Sequence, residues 1–87
     1  MKLLLTIIRA KDTEAVMDHL VENGFRVTHI ASTGGFLRKG NSTLLIGTDE
    51  ARVEEALEVI RTATSPAEEG ERRATVFVLN VDQFSAL

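Results

Sequence analysis

The sequence predicts an α+β fold, a ferredoxin-like sandwich in which two helices cover one face of a four-stranded antiparallel sheet. Four short apolar or β-prone segments and two segments of helical periodicity follow one another in the order β-α-β-β-α-β. Polar and glycine-containing stretches separate these segments, as turns require. With 87 residues, the chain has room for one small domain spanning residues 1–87.

The first strand and the first helix occupy the start of the chain. The run from Leu3 to Ile8 is almost continuously apolar, which is typical of a strand buried on both faces. Residues 11–14, KDTE, predict a helix start because they offer capping side chains and an acidic first turn. Asn23-Gly24 ends that helix, since both residues tolerate a left-handed backbone. The apolar positions between them recur at helical spacing: Val16, Met17, Leu20 and Val21.

Residues 25–31 predict a second strand whose alternation separates two sets of side chains. One face of this strand carries Phe25, Val27 and His29. The other face carries Arg26, Thr28 and Ile30. If the first set faces the helices, the second set points away from them.

The second half of the chain repeats the pattern. Residues 43–46 predict a third strand, and residues 48–50, Thr-Asp-Glu, predict the start of a second helix. The apolar face of that helix consists of Val53, Ala56, Leu57 and Ile60. A polar connector, SPAEEGERR at 65–73, precedes a strongly β-prone last strand at 75–81.

The strands are too apolar for a sheet covered on one face only. Two helices cover one face of four strands, so the other face is expected to alternate to polar. The runs at 3–5, 44–46 and 76–79 do not alternate. We therefore expect a homo-oligomer with its sheets packed inward, for which a closed ring is the simplest arrangement.

Composition excludes several classes of function. The chain carries ten Lys and Arg against thirteen Asp and Glu, a formal net charge of −3, so the whole domain is not expected to bind nucleic acid. It contains no cysteine, which excludes disulfides and thiolate chemistry. His19 and His29 lie in no cluster with ligand spacing, so we expect no metal site and no catalytic residues. The first apolar stretch is too short to span a membrane, and a cytoplasmic location is expected.

The stretch ASTGGFLRKGNSTLLIG at 31–47 contains four of the six glycines. Its GFLRKGNS segment is one substitution from a phosphate-binding loop, but Asn41 replaces the lysine and a strand, not a helix, follows. Two interpretations stay open, a solvated hairpin and a nest of backbone N–H groups for an anion. Phe36-Leu37 favours a ligand, because an aromatic ring beside anion donors suits a nucleotide base.

The longer stretch GFRVTHIASTGGFLRKGNSTLLIG at 24–47, together with MKLLLTI at the start and ATVFVLNVDQF near the end, resembles the cyclic-di-AMP receptor family of small PII-like bacterial signal-transduction proteins. The resemblance covers nearly the whole chain. It implies a PII-like homotrimer with a ferredoxin-like fold, no enzymatic activity, and cyclic-di-AMP bound in clefts between neighbouring subunits. It also implies a downstream protein partner, which the sequence does not identify.

Carried over by position, the ligand contacts of the family fall on the second strand, the glycine stretch and the third strand: Arg26, Thr28, Gly35, Phe36, Leu37, Asn41 and Gly47. All of these residues match the family pattern. The resemblance implies that Arg26 neutralises phosphate charge, that Thr28 and Asn41 hydrogen-bond the ligand, and that Phe36 offers a base an apolar surface.

The connector at 65–73 departs from that pattern. Members of the family carry a longer segment containing glycine and proline between the second helix and the last strand, and it is thought to report ligand binding. Because the connector at 65–73 is short, an alternative stays open, a PII-like interaction trimer that binds another nucleotide or no small molecule. A small enzyme of the same fold ranks last, because the sequence shows no acid, base or nucleophile set.

Overall fold

The computed structural model describes residues 1–33 and 40–87. Its strands are β1 (Lys2–Arg9), β2 (Arg26–Thr33), β3 (Asn41–Thr48) and β4 (Ala74–Asn80), and its helices are α1 (Thr13–Glu22) and α2 (Val53–Ala63). The predicted βαββαβ order is confirmed. The predicted contacts Gly35, Phe36 and Leu37 lie outside the described residues.

The four strands form one antiparallel sheet in the order β2-β3-β1-β4. β1 lies in the interior of the sheet between β3 and β4, whereas β2 and β4 form its two edges. The register of β1 with its two neighbours is seen at Leu5, which lies opposite Leu45 of β3 and Phe77 of β4. This is the sheet of a ferredoxin-like α+β fold, as the sequence predicts.

Both helices pack on one face of this sheet. Every second residue of β1 and β3 turns toward them, and the result is one cluster of buried side chains. Each large apolar side chain buried there contributes about 1.5–3 kcal/mol to stability. The core cluster consists of Leu4, Ile8, Val16, Leu20, Phe25, Leu44, Ile46, Ala56 and Ile60. Val21, expected on the core face of α1, is instead 60% exposed.

The helix starts differ from the sequence prediction. A single turn of 3-10 helix precedes each α-helix, at Ala10–Asp12 and at Glu50–Arg52. Asp12 occupies the N-cap position of α1, yet its side chain makes no capping hydrogen bond because its carboxylate contacts Arg9 and Ser65 instead. The prediction of a capping role for Asp12 is therefore wrong. The end of α1 is as predicted, with Gly24 in the left-handed region at φ 84°.

Neither of the two described helices lies on the second face of the sheet, which we call the open face. It consists of the alternate residues of each strand, and many of them are apolar. Phe77 and Leu79 of β4 are 53% and 45% exposed. Their neighbours on the open face are the half-buried side chains of Leu3, Leu5, Ile7 and Leu45. The sequence prediction of an apolar second face is confirmed.

Candidate functional site

A cavity of about 550 Å³ lies on the open face, at the end of the sheet where β2 begins and β3 ends. Three of the seven predicted ligand contacts line it, namely Arg26, Thr28 and Gly47. The remaining lining residues are mostly apolar: Met1, Leu3, Leu45, Val81 and Phe84. A largely apolar hollow with a few convergent polar groups is the usual form of a small-molecule site.

The pairing of β2 with β3 brings the three predicted residues together. Arg26 lies directly opposite Gly47, and Thr28 lies directly opposite Leu45. Since side chains alternate along a strand, Arg26 and Thr28 share the open face, whereas Val27 between them packs against the core. The expectation that Arg26 and Thr28 point away from the helices is confirmed.

Gly47 leaves one position of the cavity floor without a side chain. A β-carbon at this position would lie 3.3 Å from the terminal methyl carbon Cε of Met1, so the Met1 side chain passes close over the bare backbone. Without a side chain at Gly47, a ligand can also approach the strand backbone beside Arg26. The glycine therefore gives this part of β3 both its opening and its contact with Met1.

The charge of the cavity is positive. Arg26 is exposed and supplies the cation, Thr28 supplies a hydroxyl group, and the lining residues that the structure describes include no acidic side chain. A guanidinium recognises a phosphate by paired, charge-assisted hydrogen bonds. The apolar walls formed by Leu3, Leu45 and Phe84 suit the faces of a nucleobase. The arrangement can therefore hold a molecule that combines phosphate with an aromatic base.

Asn41, a fourth predicted contact, lies at the opposite end of β3. It pairs with Thr33 of β2 and with Arg9 of β1. Asn41 and Gly47 are six positions apart, a distance of about 20 Å along an extended strand. Asn41 is exposed and does not line the cavity. The structure thus brings Arg26, Thr28 and Gly47 together and leaves Asn41 apart from them.

A β-bulge interrupts β2 between these two regions. The pairing with β3 shifts between His29 and Ala31, so Ile30 has no partner and is 50% exposed. The hydroxyl of Ser32 lies 2.8 Å from His29 Nε2, which stabilises the bulge from the side chain. A bulge twists and bends its strand, so β2 turns as it approaches the glycine stretch.

Sequence reasoning missed the residues that come from the two ends of the described chain. Val81 donates its backbone N–H to the carbonyl oxygen of Met1 at 3.2 Å, and this bond brings the segment after β4 over the start of β1. Phe84 follows at the rim of the cavity and is 62% exposed. A large aromatic residue after the polar pair Asp82-Gln83 was the only signal for this contact.

Two other kinds of site find no support in the described part of the chain. Residues 1–33 and 40–87 contain no group of three His, Asp or Glu side chains that could hold a metal ion. Among the same residues, no helix is long and apolar enough to cross a membrane.

Comparison with known proteins shows which family the chain is similar to. The model of the family described as "Cyclic-di-AMP receptor" matches residues 1–69, which include both helices and the first three strands. A solved structure, that of a functionally unknown protein from Pediococcus pentosaceus ATCC 25745, is 39% identical in sequence. The alignment covers 99% of this chain and 96% of that chain, with a TM-score of 0.79.

Proposed function

Since the chain belongs to the cyclic-di-AMP receptor family, we propose that it is a non-catalytic signal-transduction protein that binds cyclic-di-AMP in clefts between three copies of itself. The observation that carries this proposal is the cavity on the open face, where Arg26, Thr28 and Gly47 meet among apolar walls. We place the protein in the bacterial cytoplasm, where a cyclic dinucleotide serves as an intracellular signal.

Each cavity residue has a role that its chemistry supports. Arg26 pairs with a phosphate of the ligand, and the Thr28 hydroxyl hydrogen-bonds the same phosphate or a base edge. Gly47 lets the ligand lie close to the backbone of β3, because no side chain projects from the strand there. Leu3, Leu45 and Phe84 cover the faces of an adenine.

Asn41 belongs to a different part of the same site in this proposal. Residues about 20 Å apart along one strand cannot hold the same phosphate or the same base. We therefore assign Asn41, together with Gly35, Phe36 and Leu37, to a second moiety of the ligand. A cyclic dinucleotide has two bases and two phosphates, so it offers separate moieties to these two groups of residues.

The apolar open face supports the trimer. Phe77 and Leu79 are about half exposed in the isolated chain, beside an apolar floor of half-buried β1 and β3 side chains. Contiguous apolar surface of this kind marks an interface. If neighbouring copies cover this face, the cavity at its edge becomes a cleft between subunits, where the family resemblance expects the ligand.

Calorimetric titration tests the proposal. Cyclic-di-AMP should bind with saturable heat, whereas cyclic-di-GMP and ATP should bind more weakly. Arg26→Ala should weaken cyclic-di-AMP binding about 10- to 100-fold, because the phosphate loses a charge-assisted partner. Lys11→Ala is the matched control, since Lys11 is an exposed cation outside the cavity. Absence of heat with cyclic-di-AMP would reject this function.

The connector between α2 and β4 supports a second candidate, a PII-like interaction trimer that binds another nucleotide or no small molecule. Only residues 64–73 separate α2 from β4, and the family match ends within them, at residue 69. A trimer that captures the same partner protein with and without cyclic-di-AMP, and gives no heat with any of the three nucleotides, would favour this candidate.

A further inference from the structure

A second cavity, of about 630 Å³, lies on the helix side of the sheet between α2 and the edge strand β4. Its floor is apolar, and its rim is basic. The floor consists of Leu57, Ile60, Ala74 and Val76, and the rim consists of Arg61, Glu71, Arg72 and Arg73. We call it the arginine groove. It shares no residue with the cavity on the open face.

The groove runs along an unpaired strand edge. Among the described strands, β4 pairs with β1 only and ends the sheet, so every second residue directs its backbone N–H and C=O groups outward. The helices do not cover this edge fully. Val78 lies on the helix side, opposite Leu4 of the core, and is nevertheless 44% exposed. An edge strand with exposed apolar side chains is a template for one more strand.

The rim concentrates positive charge in a chain whose net charge is −3. Arg61 pairs with Glu58, and Arg73 donates to the backbone carbonyl oxygen of Arg61 at 3.3 Å. The Arg61–Glu58 pair is largely exposed, so it holds Arg61 only weakly. Arg72 makes no ion pair with the acidic residues of the described chain.

The one carboxylate of the rim, that of Glu71, contacts residues outside the rim. Glu71 Oε1 lies 3.9 Å from Arg9 Nη1 and accepts the backbone N–H of Glu68 at 3.2 Å. The connector that carries Glu71 and the two following arginines is held at its start, where Arg9 donates to the Ser65 and Pro66 carbonyl oxygens. The connector is therefore held at Ser65, Pro66 and Glu71, and it carries the two following arginines beside the free edge of β4.

From these contacts we infer that the arginine groove binds an extended acidic segment of a partner protein, which pairs with β4 as a fifth strand. Backbone hydrogen bonds to an edge strand supply affinity, and side-chain pockets supply specificity. Alternate side chains of the added strand face the groove, so the groove selects carboxylates at those positions for Arg61, Arg72 and Arg73, with their methylene groups over the apolar floor. This inference goes beyond ligand binding and does not depend on the identity of the nucleotide.

Charge also argues against a second copy of this chain as the occupant. The other free edge of the sheet is β2, with the sequence RVTHIAST. It contains a cation and a histidine but no carboxylate to meet three arginines. The groove also lies on the helix side of the sheet, so packing of the open faces against one another would not cover its floor.

Fluorescence anisotropy tests the inference with a labelled ten-residue peptide of alternating glutamate and valine. We expect saturable binding at low salt and at least tenfold weaker binding at 1 M salt, because salt screens the arginine contacts. The double variant Arg72→Glu, Arg73→Glu should weaken binding at least tenfold, and Arg72→Ala, Arg73→Ala should do so to a smaller extent. Lys11→Glu, a charge reversal outside the groove, should leave binding unchanged.

Two further peptides test the strand geometry and the charge. N-methylation of alternate backbone amides should abolish binding if the peptide pairs with β4, and a lysine–valine peptide should not bind. Equal affinity of the wild type and the Arg72→Glu, Arg73→Glu variant, or no saturation by the glutamate–valine peptide at millimolar concentration, would overturn the inference. So would a change in oligomeric state of that variant without peptide, because the groove would then be an interface between copies.

Discussion

Ser65 donates two hydrogen bonds to one carboxylate oxygen of Asp12, from its hydroxyl at 2.6 Å and from its backbone N–H at 3.1 Å. The other oxygen of Asp12 lies 3.2 Å from Arg9 Nη2, and both side chains of this pair are largely buried. The two Ser65 bonds join residues 53 positions apart in sequence. They fasten the connector after α2 to the junction between β1 and α1.

Removing the Asp12 carboxylate should therefore cost more stability than its place at a helix start suggests. We expect Asp12→Ala to lower the free energy of unfolding by about 3 kcal/mol, because Arg9 would keep a buried charge without its partner. Ser65→Ala should cost only about 1 kcal/mol, since the backbone N–H of residue 65 still bonds Asp12. Urea unfolding measures both values, and an Asp12→Ala protein as stable as the wild type would refute the role of the pair.

Asn41 should contribute to ligand affinity without contributing to the fold. Its side chain is exposed at the start of β3 and is assigned to a second moiety of the ligand. Asn41→Ala should weaken cyclic-di-AMP binding by about 1–3 kcal/mol, the cost of leaving a polar ligand group unpaired. Titration calorimetry checks the affinity and thermal unfolding checks the fold. An unchanged affinity would remove Asn41 from the site.

A methyl group at residue 47 should separate binding from stability. The β-carbon of Gly47→Ala would come within 3.3 Å of the flexible end of Met1, which can move aside. We expect a change in unfolding free energy of less than about 1 kcal/mol. Ligand affinity should fall at least tenfold, because the methyl group occupies the floor of the cavity. Equal affinity of the variant and the wild type would show that the ligand does not approach this strand.

Two neighbouring residues of β4 provide a matched test of the assembly. Phe77 faces the open face and Val78 the helix side, and they are 53% and 44% exposed. Phe77→Lys should convert the proposed trimer to a monomer, because the lysine would place a charge in the proposed interface. Val78→Lys should leave the oligomer intact. Multi-angle light scattering reads the mass of both variants, and the same mass for both would refute inward packing of the sheets.

The pair Arg52 and Glu55 should give a small pH dependence of stability. Arg52 donates to both carboxylate oxygens of Glu55, at 3.0 and 2.8 Å, and this hydrogen bonding lowers the pKa of Glu55 below its usual value. A lowered pKa in the folded state stabilises the fold above the ordinary Glu pKa, and that contribution is lost as pH falls through the folded-state pKa.

Glu55→Gln should consequently unfold at a slightly lower temperature than the wild type at pH 7, and the difference should vanish at pH 2. Thermal unfolding followed by circular dichroism checks it. Glu54→Gln is the control, since Glu54 is an exposed neighbour that makes no ion pair with another described residue. A difference that persisted unchanged at pH 2 would assign the effect to packing of the side chain.

The order of the elements was predictable because each one carries its own periodicity. The apolar strands around Leu4 and Ile46 are each followed by a helix whose apolar residues recur every three or four positions. The partners of Asp12 were not predictable, since a residue typical of a helix start can equally bond any group that the fold brings near it. The β-bulge at Ile30 was not predictable either, because it changes the strand pairing without a corresponding change in composition.

The candidate site was predictable on the strands and not at the chain ends. Alternation in β2 placed Arg26 and Thr28 on one face, and the register of β2 with β3 then set Arg26 against Gly47. Phe84 reaches the same cavity only because the backbone of Val81 bonds that of Met1, a contact between the two ends of the described chain. No local sequence pattern predicts such a long-range contact.

The apolar open face also bears on how many working receptors a cell contains. In the proposed assembly, each binding cleft exists only where two copies cover that face together. By mass action, the number of complete clefts then falls with the third power of the free-chain concentration once trimers begin to dissociate. In that concentration range, the number of complete clefts would fall more steeply than the amount of the protein.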